Sequence, residues 1–94
     1  MRQVVWSAAF ARVLRRLLRR NPNLRARLER TLVQLGNDAF HASLSTHKLK
    51  GELEGVWSCS VDYDYRILFE FAKDPDSGEE EILLLTLGTH DEVY

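Results

Sequence analysis

Cysteine is almost missing from this 94-residue sequence. Cys59 stands alone, which excludes an internal disulfide and leaves a small core residue suited to a reducing, cytoplasmic setting. No apolar run approaches the roughly 20 residues that cross a bilayer, so no membrane association is expected. Internal repeats, low-complexity tracts and linkers are absent as well. With 45% apolar and 29% charged residues, the chain reads as one ordered domain over residues 1–94.

Several chemistries drop out in the same way. No glycine-rich loop cradles a phosphate, which argues against a nucleotide cofactor. No serine sits in a Gly-x-Ser-x-Gly elbow. His41, His47 and His90 are too scattered for a zinc pattern, and Glu79, Glu80 and Glu81 on a turn do not converge on an ion; no metal and no cofactor are predicted.

Acids are scarce in one half only. Residues 1–50 carry eleven Lys or Arg against Glu29 and Asp38, about +9, whereas residues 51–94 carry two against twelve acids, about −10. Such a split suits a basic surface for a polyanion, or two charged faces that cancel on folding.

Periodicity then gives the elements. Gln3–Trp6 reads as a strand, after which Ser7 can cap a helix running to about Arg20. Phe10, Val13, Leu14, Leu17 and Leu18 form its apolar stripe, and Arg12, Arg15, Arg16, Arg19 and Arg20 its outer side. Asn21-Pro22 starts a second helix through Leu24, Leu28, Leu32 and Leu35, with Gly36 placed as a left-handed cap. The outward arginines suit either solvent or phosphates. Phe40 and Leu44 should anchor the irregular stretch that follows, and Gly51 and Gly55 permit turns in a basic loop from His47.

Two strands come next. Trp57, Cys59 and Val61 alternate with Ser58, Ser60 and Asp62, and Tyr65, Ile67, Phe69 and Phe71 alternate with Arg66, Leu68 and Glu70. One face is core and the other partly polar. Periodicity alone is satisfied by an ion pair of Arg66 with Asp62 or Glu70 across the hairpin. Residues 74–78 form a turn, Glu79–Glu81 a solvated hairpin end, and Ile82–Leu87 a strand covered on both faces and broken by Gly88. The order β-α-α-β-β-β predicts an α+β fold: a mostly antiparallel sheet with a helical hairpin packed on one face.

What remains is acid–base work on a bound polyanion. Cutting RNA needs a base for the ribose 2′-OH, a cation for the phosphate and an acid for the leaving 5′ oxygen. His47, His90 and Arg66 supply those residue types.

Three stretches, His-Lys-Leu-Lys-Gly at 47–51, Asp-Tyr-Arg-Ile-Leu-Phe at 64–69 and Leu-Gly-Thr-His-Asp-Glu-Val-Tyr at 87–94, occur in an order that resembles the RelE superfamily of toxins from bacterial type II toxin–antitoxin systems, most of all its YafQ-like branch. The resemblance implies a microbial-ribonuclease-like fold and a ribosome-dependent, metal-free mRNA endonuclease, with mRNA, ribosomal RNA and a cognate antitoxin as partners. By motif it marks His47, Asp64, Arg66, His90 and Tyr94 as the catalytic set. His90 is the leading acid or base, His47 its counterpart, Arg66 the phosphate stabiliser and Tyr94 a stacking or orienting ring; Asp62 is a second match for the carboxylate. Lys48 and Lys50 would hold phosphates, as would Arg12, Arg15, Arg16 and Arg19. The alternatives are a ParE-like toxin that inhibits gyrase and an inactive relative that only binds an antitoxin.

Overall fold

Ser7 couples the first strand to the first helix. In the computed structural model, which describes all 94 residues, β1 (Gln3–Trp6) hands over to α1 (Ala8–Arg20) at this residue. The Ser7 Oγ accepts from the Phe10 N–H at 3.0 Å, and the Ser7 N–H donates to the Leu84 carbonyl at 3.1 Å, so one residue caps the helix and ties it to a distant strand.

The chain continues through α2 (Leu24–Asn37), β2 (His47–Lys48), β3 (Trp57–Ser60), β4 (Tyr65–Lys73), β5 (Glu80–Thr89) and a final turn of helix, α3 (His90–Val93). The strands lie in the order β1-β5-β4-β3-β2. Only the β1–β5 pairing is parallel; the other three are antiparallel. The predicted mostly antiparallel sheet with a helical hairpin on one face is the architecture observed, and β5 is an interior strand as its apolar run requires. No helix is long and apolar enough to cross a membrane.

The core lies between hairpin and sheet. Phe10, Leu14 and Leu17 of α1 and Leu24, Leu28 and Leu35 of α2 pack over Cys59, Ile67, Phe69, Ile82, Leu84 and Leu87. Each such side chain contributes ~1.5–3 kcal/mol by leaving water. Trp57, Val61, Tyr65 and Phe71 flank this cluster, so the predicted alternation of β3 and β4 holds.

Burial fixes the chemistry of Cys59, whose thiol is pushed up to about 12 by desolvation, partly offset by the nearby Arg66 charge. At pH 9 the thiolate should therefore fall from half to about one in a thousand. Iodoacetamide at that pH should label the native protein only as fast as it unfolds. Because the folded state holds this proton more tightly between pH 9 and about 12, stability should fall as pH rises through that window, with no contribution from this group well below it. Rapid labelling of the folded protein would contradict this.

Several boundaries differ from the sequence expectations. Asn21 closes α1, its N–H donating to Leu17, and the Asn21–Asn23 turn delays α2 to Leu24. Gly36 is not a left-handed cap but lies inside α2, where an added Cβ would sit 3.1 Å from the Arg2 carbonyl oxygen; small size rather than backbone freedom is what this position needs. Phe40 is 55% exposed, stacked on Phe71 and edge-on to Trp57; Leu44 is buried as expected, and Ala39 is the second buried anchor in place of Phe40. Glu80 and Glu81 belong to β5, and Glu80 pairs with Arg2 at 2.7 Å. Gly88 does not end its strand, which runs on to Thr89.

Candidate functional site on the sheet face away from the helices

Antiparallel partners lie side by side with their side chains on the same face. His47 pairs with Ser58, Ser58 with Leu68 and Leu68 with Thr86, which makes one row across four strands. Ser60, Arg66 and Gly88 make the next. Cys59 and Ile67, one residue out of step, are in the core. These two rows thus face away from the helical hairpin.

His47 was expected in a loop; it forms an edge strand with Lys48 because the backbone after Gly55 returns to pair with it. Its Nδ1–H donates to the Ser45 carbonyl at 2.9 Å, which leaves Nε2 as the acceptor of the neutral ring. Lys48 pairs with Trp57 and so alternates to the other face, and Lys50 is exposed just before the Gly51 turn. His41 is engaged locally, its Nδ1 accepting from the Ser43 N–H at 3.1 Å.

Arg66 does not make the expected ion pair. Its Nη1 donates to the carbonyls of Asp62, Tyr63 and Tyr65 at 2.7, 3.0 and 3.1 Å. The β3–β4 turn thereby fixes the guanidinium through neutral acceptors, while its Nε and Nη2 hydrogens have no protein partner. Asp62 is occupied elsewhere: one oxygen accepts from the N–H groups of Asp64 and Tyr65 at 2.9 and 2.8 Å, and the other lies 3.2 Å from Arg27. The Asp64 carboxylate is exposed and has no partner.

The end of the chain folds over this face. Thr89 and Glu92 form a capping box, the Thr89 N–H donating to Glu92 Oε1 at 2.8 Å. Those bonds hold the Glu92 carboxyl below its ordinary value, with Arg20 and Arg16 adding to the effect. Gly88 lets α3 settle, since an added Cβ would meet Glu92 and Val93 at 3.1–3.2 Å. Tyr94 then reaches across the sheet to hydrogen-bond the Ser58 hydroxyl, which is fully buried. His90 stands edge-on to Tyr94, ring centroids 4.5 Å apart, with Nδ1 3.7 Å from the Asp91 carboxylate. His47, Arg66, His90 and Tyr94 therefore lie on the same face, with His90 against Tyr94 and Tyr94 against the Ser58 that pairs with His47. Ser58 and the capping box were missed in the sequence; the Thr-x-x-Glu spacing at 89–92 was the signal for the second.

The helical arginines fall into two ridges. Arg16 and Arg20 lie beside Glu92 and Val93, whereas Arg15 and Arg19 line a groove with Arg25. Only Arg2, Arg25 and Arg27 form direct ion pairs with carboxylates, so most arginines of α1 and α2 stay without one. The acids of the Asp74–Glu79 turn close the far end of β4 and β5, roughly 25–30 Å from Arg66 by strand rise.

A five-stranded sheet with a helical pair behind it and imidazoles, a guanidinium and a phenol in front defines a small α+β protein of the RelE/YafQ-like toxin fold. The family model described as bacterial toxin of type II toxin–antitoxin system, YafQ, matches residues 2–94, and the chain belongs to that family. Among solved structures, YafQ from E. coli superimposes with a TM-score of 0.77 at 16% identity, covering 100% of this chain and 99% of that one. The YafQ chain of the E. coli DinJ–YafQ complex gives 0.76 at 17%, with coverage of 100% and 99%. A YoeB/ParE toxin from Agrobacterium tumefaciens gives 0.75 at 15%, with 94% and 98%. Comparison with curated protein sequences returned no match. At these identities the structural likeness is one of fold.

Proposed function

We propose that this toxin is a ribosome-dependent mRNA endonuclease held in check by a cognate antitoxin. What supports this reading is that His47, Arg66, His90 and Tyr94 share one face of the sheet, with a guanidinium that no carboxylate neutralises. In the proposed step His47 Nε2 takes the proton of a ribose 2′-OH and the freed oxygen attacks the adjacent phosphorus. Arg66 donates to the charged non-bridging oxygens. The bond to the 5′ oxygen breaks, and His90 supplies that oxygen with a proton. The products are a 2′,3′-cyclic phosphate and a 5′-hydroxyl; exchange with water restores both histidines. Tyr94 orients or stacks on a base, and Asp64 is the carboxylate available at the turn.

Lys48 and Lys50 at the sheet edge, with Arg12 and Arg16 on one ridge and Arg15 and Arg19 on the other, would bind flanking phosphates of the message and of ribosomal RNA. An antitoxin is proposed by analogy with E. coli YafQ, which is found in complex with DinJ.

Mapping transcript ends after induction tests the reading. New ends should fall within ribosome-bound codons and carry cyclic phosphates. Growth arrest with intact transcripts and altered DNA supercoiling would overturn it in favour of the gyrase-directed alternative.

A further inference from the structure

Between α2 and the end of β3 lies a cleft of about 340 Å³ that the proposed chemistry does not use. Arg27, Arg30 and Gln34 line it from α2, Ser43 from the short turn at Ala42–Leu44, and Ser60 from β3. Arg27 is matched by Asp62, and the Ser43 hydroxyl by His41 Nδ1 at 2.8 Å. Arg30, the Gln34 amide and the Ser60 hydroxyl have no side-chain partner within the protein. The cleft thus holds one unneutralised cation and polar groups able to hydrogen-bond a neutral moiety. Ser60, the last residue of β3, borders this cleft and is also the β-ladder neighbour of Arg66, so the cleft opens beside the strand end that carries the candidate site.

The geometry points to this cleft as a second RNA contact, taking the phosphodiester and sugar of a nucleotide next to the one that is cut. Its volume lies at the lower end for small-ligand sites, about 300–1,000 Å³, and matches a single nucleotide rather than a folded partner. Arg30 clasps the phosphate, while Gln34 and Ser60 meet sugar or base-edge groups. This deepens the nuclease reading and rests on it. The phosphodiester can come from the message or from ribosomal RNA, and the test separates the two.

Binding is measured by fluorescence anisotropy in a His90→Ala background, with a short single-stranded oligoribonucleotide in one arm and message-free ribosomes in the other. Arg30→Ala should raise Kd about five- to tenfold and flatten the plot of log K against log salt by about 0.7, the loss of one phosphate contact. Arg30→Lys should keep the salt slope. Lys73→Ala, which removes an exposed charge at the far end of β4, should change Kd by less than about twofold. Weakening on the oligonucleotide assigns the cleft to the message, and weakening on ribosomes alone assigns it to ribosomal RNA. Unchanged binding in both arms, with transcripts still cut by the wild type, overturns this proposal and leaves the nuclease reading standing. If the wild type binds neither RNA, both fail.

Discussion

On the proposed mechanism, Arg66→Gln should slow mRNA cleavage ~10²–10³-fold, equivalent to ~2.7–4 kcal/mol of lost transition-state stabilisation. The expectation rests on how this side chain is held. Nη1 is anchored on three carbonyls, so the free edge of the guanidinium is already aimed and little reorganisation is needed as charge builds on a phosphate. Arg66→Lys should recover part of the rate at most, because an ammonium keeps the charge but cannot both bind the turn and present a planar fork. His90→Ala should cost ~10²–10⁴-fold through loss of the proposed proton donor to the leaving oxygen. Single-turnover cleavage on programmed ribosomes, with circular dichroism as a check on folding, decides the matter. An Arg66→Gln variant that is folded and cuts at the wild-type rate would remove Arg66 from the mechanism.

The second large effect concerns stability. Phe69 is fully buried on β4, between Trp57 of β3 and Leu84 of β5 in the ladder, with its ring 5.4 Å from Phe71. Truncation to alanine leaves a hole where sheet and helices both press, and the lattice of neighbours can relax only partly. Phe69→Ala should cost ~3–5 kcal/mol. Since a domain of this size has only ~5–15 kcal/mol to lose, the variant should be partly unfolded at growth temperature. Phe71→Ala, at the half-buried rim beside exposed Phe40, should cost distinctly less. Urea unfolding of both variants provides the comparison, and equal midpoints would show that the core is not centred on Phe69.

The activity and stability effects are separable because the sheet has two working faces. Ile67 and Phe69 point into the core, while Arg66 and Leu68, which alternate with them, point to the site. Leu68 and Ser58 are themselves buried, although they lie on the site face. Tyr94 covers Ser58 from above, so the end of the chain gives this sheet a partial second layer.

The alternation of residues 57–61 and 65–71, the helical stripes of Phe10–Leu18 and Leu24–Leu35, and the Ser7 cap were legible in the chain because they are local: each depends on spacing over a few residues. That much determined an α+β fold with one core face, and the three short motifs pointed to the family. Tertiary structure decided the rest. Pairing of His47 with Ser58 across an irregular loop, and of β1 with β5 across most of the chain, depends on contacts that no period records. Arg66 meets backbone carbonyls, that of Asp62 among them, rather than the Asp62 carboxylate, which is held by the Asp64 and Tyr65 N–H groups and by Arg27 from a helix more than thirty residues earlier. Gly36 and Gly88 look like strand and helix breakers in one dimension, yet both are places where another segment comes too close for a Cβ. Sequence set the faces; only folding set which side chains meet across them, since that is governed by close packing between distant segments.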